Sequence, residues 1–292
     1  MTLFRCPECR GPLDENDLGE ETACRRCGSF IGCVEGIPLL VRDRKVIEAT
    51  IAEAKRAGTG DWYTKSQLGQ WTGPYRHHVE KRKRWVEVVL AERKSRHDVQ
   101  STVGLDLGCG DGVNLGWLSR HFKRFYGSDY NLLRLMRARQ LDSDVFLFMA
   151  DIGNYPAKDD AFDVIFFNHV LEHIPDDAAA LREVRRILKP GGLLILGVPN
   201  EGAAFWQLAY RLQPRSRETS DHRHFYTAET VAAQCEAAGL TVQKTYPIGW
   251  GVPHWTLDAV VRRFKWVDDT FETLGRTFIP DQATSLYLLL SK

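Results

Sequence analysis

The stretch Val103 to Asn114, VGLDLGCGDGVN, admits few folds. Val103 to Leu107 is a short apolar run with the length of a buried strand, and it gives way to Gly108, Gly110 and Gly112 at alternate positions. Three positions without side chains let a flat ligand lie against the main chain. A helix opening near Asn114 then aims its N-terminal amides at whatever is bound. The next apolar run, FYGSD, ends in Asp129, about twenty residues on, the spacing of a βαβ unit whose second strand ends beside the first. A carboxylate there can accept both hydroxyls of a ribose. A dinucleotide fits less well, because G-x-G-x-x-G needs glycine where this chain has Val113 or Leu115.

With an acid in front of the turn, Asp106-Leu107-Gly108-Cys109-Gly110-Asp111-Gly112 resembles the first motif of the class I S-adenosylmethionine-dependent methyltransferases. The resemblance continues through Asp129, through Met149-Ala150-Asp151-Ile152, through FDVIFFNHVLEHIPD (Phe162 to Asp176) and through LKPGGLLILGVPN (Leu188 to Asn200), and covers roughly residues 80 to 291. It implies an α/β, Rossmann-like fold: a seven-stranded, mostly parallel sheet with helices on both faces. It also implies a cofactor set. Asp106 and the turn of Gly108, Cys109, Gly110 and Gly112 hold the methionine moiety, and Asp129, followed by Tyr130, holds the ribose. Asp151 accepts from the exocyclic amine of adenine and Ile152 packs on the ring. The strand DVIFF delivers Asn168 and His169 to the carboxyl edge of the sheet, where ligands of open α/β sheets bind. That edge carries neither the [D/N]-P-P-[Y/F] tetrapeptide of many base-nitrogen and glutamine methyltransferases nor the Pro-Cys pair of cytosine C5 enzymes, whose chemistry needs a thiolate nucleophile.

Four of the seven cysteines form two C-x2-C pairs, Cys6 with Cys9 and Cys24 with Cys27, separated by fourteen residues. Two such knuckles make a tetrahedral thiolate site for a structural zinc, with no open position for water. A unit of some forty residues buries too little surface to fold alone, whereas structural zinc supplies on the order of 10 kcal/mol. Together with Gly36-Ile37-Pro38-Leu39-Leu40, the ribbon resembles the small zinc-ribbon activators that partner certain tRNA, rRNA and protein methyltransferases. It is also similar in placement to the N-terminal module of bacterial rRNA guanine methyltransferases, whose fourth ligand is commonly histidine where this chain has Cys27. Cys33, Cys109 and Cys235 read as small packed residues.

The organisation expected is a zinc ribbon over residues 1–42, a helical linker and N-terminal cap over 43–79, and a cofactor-binding domain over 80–292 with insertions near 201–226 and 247–285. Within the linker, Gly58-Thr59-Gly60 reads as a hinge, and Trp62, Tyr63 and Tyr75 are candidates to cover the sulfonium. Arg76 to Arg84 carries five Lys or Arg residues and two histidines, and reads as a solvated helix face opposite the apolar stripe Val79, Trp85, Val86, Val89 and Leu90. The later insertions hold Phe205, Trp206, Tyr210, Trp250, His254 and Trp255, material for a substrate cap or a homodimer interface. His169, His173, His222 and His224 are the catalytic candidates around the acceptor, and positioning is expected to do most of the catalysis.

A net charge of +1 supplies no global attraction to nucleic acid or anionic membrane. With an aromatic, insertion-built cap, that favours a small-molecule, sugar or lipid-linked acceptor. RNA held by the ribbon and the basic runs is the second expectation, and a cofactor-binding scaffold whose ribbon docks a protein partner is the third. No run reaches the eighteen or so apolar residues of a membrane span, and MTLFRCPECR lacks the apolar core of a signal peptide, so the expected location is cytoplasmic.

Overall fold

The computed structural model describes residues 2–43, 45, 48–49, 52, 66, 68–96, 102–141, 144–215 and 222–292. The hinge Gly58 to Gly60, Trp62, Tyr63 and most of the linker lie outside them. In chain order the strands are β1 (Phe4–Arg5), β2 (Pro12–Leu13), β3 (Thr22–Ala23), β4 (Phe30–Ile31), β5 (Cys33–Val34), β6 (Ile37–Leu40), β7 (Val103–Leu107), β8 (Arg124–Asp129), β9 (Phe146–Ala150), β10 (Phe162–Asn168), β11 (Leu188–Pro199), β12 (Thr241–Ile248) and β13 (Ser285–Ser291). The helices are α1 (Leu68–Thr72), α2 (Arg76–Arg96), α3 (Leu115–Leu118), α4 (Leu132–Leu141), α5 (Asp177–Ile187), α6 (Ala204–Leu212), α7 (Ala228–Ala237), α8 (Trp255–Val261) and α9 (Lys265–Phe278).

The main sheet has nine strands in the order β12-β13-β11-β10-β7-β8-β9-β6-β5, which corrects the expected seven. β7, β8 and β9 pair in parallel, whereas β12 and β13 are antiparallel. The two added strands come from the ribbon. Ile37–Leu40 is buried at every position, too apolar for an exposed hairpin of a small zinc module. It finds cover by pairing in parallel with β9, Leu39 opposite Met149 and Leu40 opposite Ala150.

The chain divides into two compact units. The first comprises residues 1–67, 99–166 and 182–193. Here the ribbon is fastened to the sheet by three kinds of contact. Phe4 packs edge-on against Tyr126 and Phe148, with ring centroids 5.7 and 5.0 Å apart. Main-chain bonds join Arg5 N to Pro156 O (2.9 Å) and Lys158 N to Leu3 O (3.0 Å). Glu15 accepts from the Tyr126 hydroxyl at 2.8 Å and pairs with Arg124, and Arg10 donates to Tyr155 O at 2.7 Å.

The second unit comprises residues 68–98, 167–181 and 194–292. In it α2 departs from the expected solvated face. His77, His78 and Arg82 are buried, and Lys81 turns inward to Asp268 at 2.5 Å. The reason lies in α8 and α9, which bring Asp258 and Asp268 inside, where Arg262 faces them at 3.7 and 3.3 Å. Buried carboxylates need cations, so part of the basic run is drawn in rather than left in water. Trp85 stacks on Tyr246 at 5.0 Å, as its apolar stripe leads one to expect. Trp250 is also buried, donating to Ile279 O at 2.8 Å, and Gly275 is required beside it because a Cβ there would lie 2.1 Å from the indole.

Candidate functional site

In the first unit β7 ends in the glycine turn. Gly108, Gly110 and Gly112 have φ of +76°, +53° and +85°, the left-handed region that glycine enters without steric cost. Gly112 has a second reason to be glycine: a Cβ there would meet the Cβ of Ala138 on α4 at 2.9 Å. Around Gly110 the space is open, the nearest atom to an added Cβ being Arg134 Nη1 at 3.8 Å. The turn is stitched to the next strand by Gly108 N and Cys109 N, both donating to Ser128 O, at 2.8 and 2.9 Å. Asp106 is buried behind it, and Cys109 is buried with its thiol pushed well up by desolvation, which fits a packed residue rather than a nucleophile.

Asp129 closes the turn from β8. Its Oδ2 accepts from Gly110 N at 2.9 Å and its Oδ1 from Asn131 N at 2.8 Å. Burial pushes its carboxyl up, against the opposing pull of Arg134 and of those two amides. Tyr130 is exposed beside it. At the end of β9, Asp151 is exposed and caps the short turn Ile152–Asn154 by accepting from Gly153 N at 2.9 Å, with Ile152 half-buried. The first unit therefore brings together an open glycine turn, a partly accessible carboxylate, an exposed carboxylate and an apolar side chain. Those are the groups an adenosyl ligand needs, and no Cβ blocks the turn.

The same unit holds the four ribbon cysteines, whose ligand atoms all lie within 4.8 Å of one another. Cys6 Sγ stands 3.8 Å from Cys27 Sγ, and Cys9 Sγ 3.7 Å from Cys24 Sγ. A regular tetrahedron with bonds of about 2.3 Å has edges of about 3.8 Å, so the set fits a tetrahedral ion with thiolate ligands. The knuckles are built alike. Each ends in a left-handed residue, Arg10 (φ +59°) or Gly28 (φ +73°), whose amide donates to the carbonyl of the first cysteine, at 2.9 and 2.8 Å.

In the second unit the residue after β10 is His169, held at φ +52°, a conformation that costs a non-glycine residue of order 1–3 kcal/mol. Its amide donates to Gly197 O at 2.8 Å, and its Nδ1 lies 3.4 Å from Glu172 Oε1. Asn168 accepts from the Tyr287 hydroxyl at 3.0 Å. Glu172 is wholly buried. Burial alone would raise its carboxyl, but the hydrogen bond from His169 and the charges of His169, His173 and His222 hold it below the usual carboxylate range. The rings of His173 and His222 meet edge-on at 4.7 Å, and Glu172, His173 and His222 each place a ligand atom within 4.8 Å of the others.

His222 is oriented from behind. Its Nδ1 lies 2.7 Å from Oε1 of Glu201, a wholly buried carboxylate that also accepts from the Tyr210 hydroxyl. A carboxylate oxygen only accepts, so Nδ1 carries the hydrogen. His224 is placed differently: its Nε2 lies 2.8 Å from Ile174 O and its Nδ1 3.5 Å from Asp177, which also accepts from Tyr226 and Gln234. Both of its nitrogens face fixed partners. His254 caps α8, and Tyr75 lies under the Arg262 guanidinium at 5.9 Å. The sequence reading missed Glu201 and Tyr210 as partners of His222. The one visible signal was an acid directly after the wholly apolar end of β11 and Asn200.

Against known proteins, a family model described as a methyltransferase domain matches residues 75–245, more than half of the chain. The ubiquinone biosynthesis O-methyltransferase of Pseudomonas aeruginosa is 31% identical over 149 residues, which is 48% of this chain and 64% of that protein. An uncharacterized 37.1 kDa protein in transposon Tn4556 of Streptomyces fradiae is 37% identical over 102 residues, 33% of this chain and 30% of that protein. The chain thus spans less than two thirds of the length of these relatives. Among solved structures, a chain from the Haloferax volcanii complex between the Trm112 methyltransferase activator and a methyltransferase superposes with a TM-score of 0.53 at 21% identity, covering 86% of this chain and 98% of its own. A Bacillus halodurans methyltransferase structure superposes at 0.51 with 17% identity, covering 70% and 98%. No described helix is long and apolar enough to cross a membrane.

Proposed function

We propose, from the premise that the chain belongs to the class I S-adenosylmethionine-dependent methyltransferases, that it methylates a hydroxyl or other protic group of a small-molecule, sugar or lipid-linked acceptor with His222 as general base. The observation that carries this reading is the Glu201–His222 pair. A buried carboxylate holds the hydrogen on Nδ1 and fixes the ring, so Nε2 is the nitrogen that would take the acceptor's proton. The cofactor supplies an activated methyl group whose leaving group is neutral. The chain's own work is then to align the acceptor and take its proton. The glycine turn and Asp106 hold the methionine end, Asp129 accepts from the ribose, and Asp151 with Ile152 holds the adenine. His169 and His173 orient the acceptor beside His222.

The cysteine tetrahedron holds a structural zinc, supported by the sulfur spacing. The ribbon serves in this chain as a built-in counterpart of a zinc-ribbon activator, supported by its pairing with β9. An RNA acceptor is less well supported, because cations that could have met phosphates are engaged: Lys81 and Arg82 inside the second unit, Arg10, Arg25 and Arg124 on the first.

The test is the pH profile of methyl transfer to a panel of hydroxylated acceptors. His222→Ala should lower kcat by about a hundred-fold or more with cofactor affinity unchanged. Glu201→Gln should lower kcat less and move the acid limb of the profile. Unchanged turnover in both variants would refute the assignment of the base, and no turnover by the wild-type chain on any acceptor, with cofactor bound, would favour the scaffold reading.

A further inference from the structure

Eight of the twelve large apolar side chains that stand in solvent among the described residues belong to residues 208–278. They include Leu212 on α6, Leu257 on α8, Phe264 between α8 and α9, and Trp266 and Phe278 on α9, the last two 72% and 74% exposed. Such side chains scattered singly need no explanation, but these are grouped. α6 and α8 are neighbours: Trp206 meets Trp255 at 4.4 Å, and Gln213 accepts from Trp255 N at 2.8 Å. α9 follows α8 after three residues.

The polarity of this layer is inverted relative to an ordinary water-facing surface. Asp258 and Asp268 point inward, neutralised by Arg262 and Lys81, while leucine, valine and aromatic side chains point outward. Buried ion pairs add little stability over well-packed apolar residues, so the arrangement is not explained by folding of the unit itself. It is explained if the outer face meets a second apolar phase.

The charges say which phase. Exposed arginines adjoin the apolar side chains in sequence, Arg211 before Leu212 and Arg263 before Phe264. The acids of the layer are neutralised, with Asp258 and Asp268 inside, Asp269 paired to Lys265 and Glu272 to Arg276. Aromatic and aliphatic side chains flanked by cations are the composition of a surface lying in the headgroup layer of an anionic bilayer.

We propose that the outer face of α6, α8 and α9 docks on an anionic lipid bilayer, bringing the chain to an acceptor held in the membrane. The proposal deepens the lipid-linked part of the acceptor reading and rests on it only for its purpose. Docking is read without cofactor or acceptor, so failure of one leaves the other standing.

The experiment is flotation of the full chain with vesicles of phosphatidylcholine alone or mixed equally with phosphatidylglycerol. Binding is expected to the mixed vesicles and to fall with added salt. Trp266→Ala with Phe278→Ala should weaken it by about ten-fold or more, and Arg211→Gln or Arg263→Gln by about five-fold each. All four side chains stand in solvent, so melting temperatures should not move. Absence of flotation, equal binding to both vesicle types, or binding indifferent to both sets of variants overturns the proposal. So does a dimer on sedimentation that Trp266→Ala dissociates, which makes the face a contact between copies.

Discussion

Replacing Asp129 by Asn separates two jobs that this side chain holds at once. Each oxygen already accepts a backbone amide, Gly110 N at 2.9 Å and Asn131 N at 2.8 Å, while lone pairs remain for the ribose. Asparagine keeps one acceptor oxygen and sets an NH2 group against the second amide. Loss of one charge-assisted bond with its donor left behind costs about 1.5–3 kcal/mol. In the apoprotein this is offset in part, because the variant no longer buries a carboxylate, so a fall in melting temperature of a few degrees is expected, at about 2–4 °C per kcal/mol. For the cofactor, one of two charge-assisted ribose contacts is lost, so affinity for S-adenosylhomocysteine should drop by about ten- to a hundred-fold.

Titration calorimetry and a thermal scan on the same preparations measure both. Acidity gives an internal check. Since burial raises the Asp129 carboxyl above the ordinary value of about 3.9, cofactor affinity should fall on acidification through a window above that value. The apoprotein has the opposite sign: a raised carboxyl holds its proton more tightly folded than unfolded, so this group's contribution to stability falls as pH rises through the same window. The Asn variant should lose both limbs. Equal affinity for wild type and variant would refute the ribose assignment, and a lowered melting temperature with equal affinity would leave Asp129 as a turn-holder alone.

Arg262→Ala should destabilise the second unit by about 3–5 kcal/mol, because it strands Asp258 and Asp268 inside. Denaturant unfolding measures this, and a loss under about 1 kcal/mol would show that Lys81 suffices. Removing zinc with a strong chelator, verified by elemental analysis, should unfold the ribbon and weaken cofactor binding, since β6 lines the edge of β9 that leads into Asp151. Intact far-UV circular dichroism and affinity after complete removal would show that the metal is dispensable.

What could be read from the sequence was local. The glycine turn, Asp129, Asp151 and the two knuckles are set by φ, by spacing within one βαβ unit, or by four sulfurs within thirty residues, and each lay where the pattern put it. Charged residues were harder. Asp258 and Arg262 stand four apart, but nothing in that spacing says the pair turns inward, because Asp268, the further partner of Arg262, and Lys81, which meets Asp268, come from other elements. The basic run on α2 was misread for the same reason. A helix face is solvated only if no distant carboxylate claims it, and the claim is made by a segment nearly two hundred residues later.

The ribbon is the other place where a local reading stopped short, and its geometry changes what the four-cysteine segment does in this chain. Cys6, Cys9, Cys24 and Cys27 announce a self-contained module, but such a module would not leave Ile37, Leu39 and Leu40 bare, and alone it has no surface to bury them. Their burial requires β9, while Phe4 requires the rings of Tyr126 and Phe148. The dependence runs both ways. β9 without β6 would present an open, fully apolar edge of the kind that pairs with other chains. A metal on the four sulfurs would therefore act at one remove. It would hold the knuckles, the knuckles hold Phe4 and β6, and these seal the edge of the sheet whose strands end in Asp129 and Asp151.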